Sequence, residues 1–311
     1  MEEKLIVRLS NNIGNQMFMY AAGYAVAKKM KRNFYFDKIS SYKSYKNIYK
    51  FSLDRFNLTE KPVETKYLFC GLSGYLKRKF LKKIDIFKLN KNFLLEKKDL
   101  NKITFYDKNL FISNYAKTVY MEGYFESEKY FSDFKDEIKK QFIPKQFEKF
   151  DNNKYLSKIK KTESVSLCIR QNRFSEKYGK INVKDNEKSN KFVSDQVDYI
   201  KDAVSYFKSR LNNPVFYLWS NNLKNLDNKL NIKDLIFINN EDIQDDIERM
   251  HCDLFLMKNC KHFAVIPSAF NWWGCWLSNY EDGIILRPSN KYFSNLEIKN
   301  KDYWPLKWKE I

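Results

Sequence analysis

Twice along this 311-residue chain a short apolar run breaks into a polar turn and then into a helical pattern, and this alternation limits the fold to the α/β class. Residues 5–9 read as a short buried strand, and Ser10 to Gln16 as a turn of small polar residues. Met17, Phe18, Ala21, Tyr24, Ala25 and Ala27 recur at near-helical spacing, and residues 33–37 read as a second strand. The pattern restarts past the middle. Strands are expected at residues 164–169, 215–219, 235–238, 262–266 and 283–286. Helices are expected over 195–210, with Val197, Ile200, Val204 and Phe207 on one face, over 243–258, and from Phe270 onward. Strands separated by single helices imply a mainly parallel sheet, in which ligands bind where strands end and helices begin. No internal repeat is present.

Between the two alternating stretches the signal is weaker. Residues 40–115 are polar, aromatic and poorly periodic; 118–122 read as a strand, and a helix ends near Phe142. Pro144 and the polar stretch 145–161 read as a linker, which predicts two domains, 1–150 and 162–311. The hydrophobic fraction, 43%, is enough to bury cores and excludes a disordered chain. The formal charge of +19 attracts polyanions: nucleic acid, acidic headgroups or a phosphorylated small molecule. A general bias towards Lys, Asn and Ile along the whole chain explains the same excess without any partner. Residues 75–102 carry ten Lys or Arg against three acids, and 75–83 is basic and partly amphipathic. It suits either a solvated helix face or peripheral contact with an anionic membrane.

The five cysteines, Cys70, Cys168, Cys252, Cys260 and Cys275, form no Cys-x-x-Cys pair, and their odd number suggests reduced thiols. Cys252, Cys260 and His262 are close in sequence, but their spacing fits no common zinc pattern. No two aspartates stand two positions apart, and no metal cofactor is expected. No secretory signal or bilayer-spanning run is visible, so the expected compartment is the cytoplasm, with the inner membrane face as a peripheral location.

Three loops carry candidate chemistry. Asn11 to Gln16 can hold an anion or sugar hydroxyls on backbone amides, with Gly14, Asn11 or Asn12 taking left-handed backbone. Arg170 and Arg173 lie just past a strand end, within reach of a pyrophosphate; a solvated loop explains them equally well. Ser268 stands where a helix start offers hydroxyl and amides to a phosphate. The tryptophans that follow at 272, 273 and 276 are expected mainly to pack that helix on its sheet.

Five segments, in order, resemble one family. Gly14-Asn15-Gln16-Met17-Phe18, Gly123 to Phe131, Phe216 to Asn222, Asp253 to His262 and Ser268 to Gly274 are similar to the motifs of family 11 α-1,2-fucosyltransferases. The family's Gly-Gly-Leu-Gly-Asn-Gln reads Asn11-Asn12-Ile13-Gly14-Asn15-Gln16 here, and its His-x-Arg-Arg-Gly-Asp reads Cys168-Ile169-Arg170-Gln171-Asn172-Arg173. Its Ser-Asp-Asp becomes Ser220-Asn221-Asn222. The resemblance implies a GT-B arrangement of two Rossmann-like domains facing a cleft, with an acceptor-side N-terminal domain and a nucleotide-sugar-binding C-terminal one. It implies inverting transfer from GDP-β-L-fucose to the 2-hydroxyl of a galactoside, free or lipid-linked, with GDP-fucose as co-substrate. Arg170 would hold the β-phosphate, Ser268, Ala269 and Phe270 would add phosphate contacts, and Asp253 would accept from guanine. Gly14, Asn15 and Gln16 would face acceptor and fucose. Glu126 and Glu128 are candidate general bases. Three alternatives stand beside this: another GDP-sugar as donor, an inactive relative that only binds, and a nucleic-acid-binding protein, for which no recognised basic module is present.

Overall fold

The computed structural model describes residues 2–44, 49–101, 103–175, 183–293 and 301–311. The chain divides into two compact units, Met1–Ile143 with Ile298–Pro305, and Pro144–Glu297 with Leu306–Ile311.

The N-terminal unit contains β1 (Lys4–Arg8), α1 (Ile13–Lys29), β2 (Asn33–Asp37), β3 (Lys61–Pro62), α2 (Gly71–Ile84), β4 (Lys91–Leu95), β5 (Tyr115–Glu122) and α3 (Lys135–Gln141). Its sheet has the order β3-β2-β1-β5-β4, and every pairing is parallel. Leu5, Ile6 and Val7 are fully buried, as a central strand covered on both faces requires. Every α1 residue from Met17 to Ala27 is buried too, because aromatic and small side chains alternate around the whole helix rather than along one stripe. Tyr20 packs edge-on against Phe34 and Phe36, and its hydroxyl donates to Gln141 Oε1 at 2.6 Å.

The C-terminal unit contains α4 (Glu148–Asp151), α5 (Leu156–Lys161), β6 (Glu163–Ile169), α6 (Val183–Lys208), β7 (Pro214–Ser220), α7 (Leu226–Leu230), β8 (Leu235–Phe237), α8 (Asp246–Lys258), β9 (His262–Ala264), α9 (Ala269–Trp276), β10 (Ile285–Arg287) and β11 (Lys309–Glu310). Its sheet runs β11-β10-β9-β6-β7-β8, again all parallel. Asp245 caps α8, its carboxylate accepting from the Glu248 amide at 2.8 Å. Trp272 and Trp273 are fully buried, and Trp272 also packs on Trp308, so the tryptophans do serve packing.

Two expectations are corrected. The stretch 145–161 is not an open linker: Phe150, Leu156 and Ile159 are buried in the C-terminal unit. The helix expected from 195 begins at Val183. The basic, partly amphipathic segment 75–83 lies within α2, and beyond it the basic stretch continues through a turn into β4, an edge strand that the weak periodicity hid.

Candidate functional site

In the C-terminal unit the chain runs outward from β6 through β7 to β8, and α8 then returns it to β9 on the other side of β6. The order therefore reverses between β6 and β9, and the crevice beyond their C-terminal ends is where open parallel sheets bind ligands. Arg170 follows β6 directly, and Ser268 follows β9 as the N-cap of α9. The two loops are tied together: Arg173 Nη1 donates to the Pro267 carbonyl at 2.5 Å.

Arg170 is held through its backbone. Gln196, fully buried on α6, accepts from the Arg170 amide at 2.8 Å and donates to the Arg170 carbonyl at 3.0 Å. Asn172 beside it adopts φ 55°, a left-handed conformation that asparagine tolerates. Gln171 and Asn221 clamp the loop after β6 to the loop after β7: the Gln171 amide donates to Asn221 Oδ1 at 2.8 Å, and Asn221 Nδ2 donates back to the Gln171 carbonyl at 3.1 Å.

Ser268 is half-buried and its side chain makes no capping bond to α9. Its hydroxyl and the first-turn amides of Ala269 and Phe270, which have no carbonyl partner within the helix, are the donors at this helix start. Asn271, fully buried, accepts from the Ile266 amide at 2.8 Å and so fixes the turn that presents Ser268.

Asp253 lies on α8, and Asn240, just past β8, donates to its Oδ1 at 2.7 Å. Asn153 donates in turn to Asn240 Oδ1 at 3.0 Å. Asp253 Oδ2 takes no hydrogen bond from any described residue. Burial pushes the Asp253 carboxyl up to about 6, against the opposing pulls of Asn240 and Arg249. Burial likewise pushes the Cys168 thiol, at the end of β6, up to about 12; Arg170 acts on it in the opposite sense and Asp253 in the same sense.

The N-terminal unit repeats the design. Its strand order reverses between β1 and β5, and the loops beyond them meet: Asn15 Nδ2 donates to Glu126 Oε1 at 2.7 Å, and Asn11 Nδ2 donates to the Tyr124 hydroxyl at 3.3 Å. Asn11, not Gly14, takes the left-handed backbone, at φ 67°; Gly14 is buried in the first turn of α1. Gln16 is fully buried, and its amide is committed to three backbone groups: it donates to the carbonyls of Asn11 at 2.7 Å and Lys50 at 2.8 Å, and accepts from Ser52 N at 2.9 Å. It braces the loop and leaves Asn15 as the half-buried side chain of the trio.

Sequence reasoning passed over Gln196, Asn240, Asn271 and Glu96. Glu96, just past β4, accepts from the amides of Tyr124 at 2.9 Å and Phe125 at 2.7 Å, and burial raises its carboxyl pKa. Gly123 is pressed against it: at φ 149°, a Cβ there would lie 2.3 Å from Glu96 Cβ. Gly123→Ala is therefore expected to destabilise the chain by about 2–4 kcal/mol, from backbone strain plus overpacking, as a shift in denaturant midpoint would measure.

The His–Cys segment has structural partners. His262 Nδ1 accepts from the Ile284 amide at 2.9 Å while Nε2 faces Glu163 at 3.1 Å. Among the described residues no three His, Cys, Asp or Glu side chains cluster as a metal site would require.

Comparison with known proteins agrees with this geometry. The description "Glycosyl transferase family 11" matches residues 72–311. An α-1,2-colitosyltransferase from Escherichia coli is 27% identical over 99% of this chain and 98% of its own length. The O-antigen biosynthesis glycosyltransferase WbnK, also from Escherichia coli, is 26% identical over 95% and 98%. Among solved structures, fucosyltransferase NodZ from Bradyrhizobium aligns with a TM-score of 0.52 at 13% identity, covering 89% of this chain and 94% of that one. The two parallel-sheet units have the GT-B architecture. With the family description spanning most of its length, the chain belongs to glycosyltransferase family 11.

Proposed function

We propose that this glycosyltransferase moves L-fucose from GDP-β-L-fucose to the 2-hydroxyl of a galactoside, with inversion, in surface glycan synthesis. One observation carries the reading: the Arg170 loop and the Ser268 helix start are bound to each other at the switch point of the C-terminal sheet. A cation and a set of helix-start donors in one crevice suit a diphosphate leaving group. NodZ, whose structure has been determined soaked with GDP-fucose, shares the fold.

In the reaction the acceptor oxygen bonds to the anomeric carbon as the bond to the β-phosphate oxygen breaks. GDP departs with the electron pair. Arg170 and the Ser268 helix start meet the charge that grows on it, and Asp253 takes the guanine. The acceptor belongs to the N-terminal switch point, where Asn15 orients Glu126 as the base that removes the hydroxyl proton. Glu126 is preferred to Glu128 because of that bond. The residues named supply these roles without a metal cofactor. All five cysteines are free thiols, which suits a reducing, cytoplasmic setting.

A second donor is favoured by one observation: a full-length relative is a colitosyltransferase. Colitose is fucose without its 3-hydroxyl, so one pocket could take either sugar. The deciding experiment is a galactoside acceptor screen with GDP-fucose and GDP-colitose, the linkage read by NMR. An α-1,2-fucosyl product is expected. A different linkage or anomer, or clear preference for GDP-colitose, overturns the assignment, and GDP binding with no turnover would indicate an inactive relative.

A further inference from the structure

Helix α2 is attached by one narrow face. Gly74 lies so close to the preceding loop that a Cβ there would sit 2.5 Å from the Phe69 carbonyl carbon. Leu81 packs on the small core of Ile6, Phe69, Phe93 and Tyr120. Arg78 donates to both oxygens of Glu122, at 2.6 and 2.5 Å, and Lys82 pairs with the same carboxylate. Burial would raise the Glu122 pKa, but these two cations outweigh it and hold the carboxyl below its usual range. Positions 74, 78, 81 and 82 follow helical spacing, so the attachments share one side.

The other side is left exposed by the described residues. Leu72, Leu76 and Phe80, spaced one turn apart, are 75%, 54% and 62% exposed. Immediately after the helix, Ile86, Phe87 and Leu89 are 72%, 85% and 89% exposed. Isolated surface leucines are ordinary, but two adjoining groups of large apolar side chains are not. Lys77, Lys79, Lys83 and Lys88 are exposed among them and pair with no carboxylate of the described residues. The sole acid between residues 71 and 90, Asp85, is buried and accepts from the Phe93 amide at 2.8 Å and Asn92 Nδ2 at 2.5 Å. The exposed side chains of residues 71–90 therefore carry positive charge only.

That combination selects the partner. A second copy of the chain would set lysines against the same lysines across a two-fold interface. Nucleic acid would satisfy the lysines and leave the leucine and phenylalanine side chains in water. An anionic bilayer satisfies both, taking the apolar stripe at the acyl boundary while the lysines extend to the phosphates. No helix of the described residues is long and apolar enough to cross a membrane, so the contact is lateral.

We propose that α2 and the turn after it seat this protein on an anionic phospholipid surface, with Leu72, Leu76 and Phe80 inserted and Lys77, Lys79 and Lys83 at the headgroups. The inference goes beyond the transfer reaction and does not depend on it. The test is co-sedimentation of the full chain with phosphatidylcholine vesicles, with and without about one-third phosphatidylglycerol. Wild type is expected to bind the anionic vesicles, less so as salt rises. Leu76→Glu with Phe80→Glu should weaken that binding by about tenfold or more. Lys79→Gln with Lys83→Gln should abolish the preference for phosphatidylglycerol by a similar factor, roughly tenfold. Both pairs are on the exposed face, so unchanged thermal midpoints and unchanged turnover of a water-soluble acceptor should accompany the loss. The idea is overturned by wild type failing to bind, by binding that neither pair alters, or by sedimentation showing a dimer that the glutamate pair dissolves. Vesicle binding lost or kept leaves the donor and acceptor assignments untouched, so the two readings fail separately.

Discussion

Replacing Arg170 by alanine is expected to lower kcat for sugar transfer by about 10²–10⁴-fold while shifting the thermal midpoint by no more than about 3 °C. The two halves of that expectation come from different atoms of the residue. The loop is held by Gln196 through the Arg170 amide and carbonyl, which alanine keeps. What alanine removes is the guanidinium, whose charge matters most when the sugar–phosphate bond has broken and the diphosphate carries its full charge. Binding that strengthens along the reaction appears in kcat, whereas a group that grips donor and transition state alike appears in KM. Lysine at this position should recover only part of the rate, because it restores the charge but not the bidentate fork. A variant with normal kcat and a raised acceptor KM would remove Arg170 from the leaving-group site. One that loses rate and fold together would make it a structural residue.

How much of this was legible in the sequence differs between backbone and side chains. The alternation of strands and helices gave both parallel sheets, because a strand buried on two faces and a helix packed on it leave distinct periods. Edge strand β4 left no such mark, being five residues among lysines. Motif loops were legible as places but not as partnerships. That Asn15 meets Glu126, or that Arg173 binds Pro267, depends on strand order, which brings together segments more than ninety residues apart. The departures from the family pattern acquire physical meaning only in the fold. Asn11 and Asn172 stand where the family has glycine, and both adopt positive φ, 67° and 55°, which asparagine tolerates best among residues with a side chain. Gln171 and Asn221 replace an arginine and an aspartate of the pattern, and they hydrogen-bond to each other's loop. The charges of the pattern are absent here, and amide hydrogen bonds join the β6 and β7 loops. Gln196, Asn240 and Asn271 could not have been singled out: a buried amide that holds a loop has no local sequence signature, and its importance comes from the backbone group it meets.

Asp253→Asn is expected to make the protein more stable and a poorer binder of GDP. The ordinary aspartate pKa of 3.8 rises here to about 6, chiefly through burial. The folded chain therefore holds this proton more tightly than the unfolded chain does, and stability falls as pH rises from about 4 to about 6. Above that range the ionised carboxylate imposes its full cost. Two pKa units correspond to about 3 kcal/mol, which solvent screening of a half-buried group reduces to about 1–2 kcal/mol. Asparagine avoids the cost and still accepts from Asn240. At pH 7.5 its thermal midpoint should exceed that of wild type by about 2–6 °C, and the gain should vanish near pH 4. A carboxylate kept at a loss of stability suits a ligand with donors to offer, and guanine presents a ring N–H and an amino group side by side. Calorimetry should find GDP affinity about 10–100-fold lower in the variant and selectivity over ADP and UDP reduced with it, since an amide has one acceptor oxygen where the carboxylate has two. Wild-type affinity should itself decline as pH falls through about 6, where Asp253 gains its proton. Greater stability with undiminished GDP binding would leave Asp253 a burden with no part in recognition, and the base-recognition site would have to be sought elsewhere.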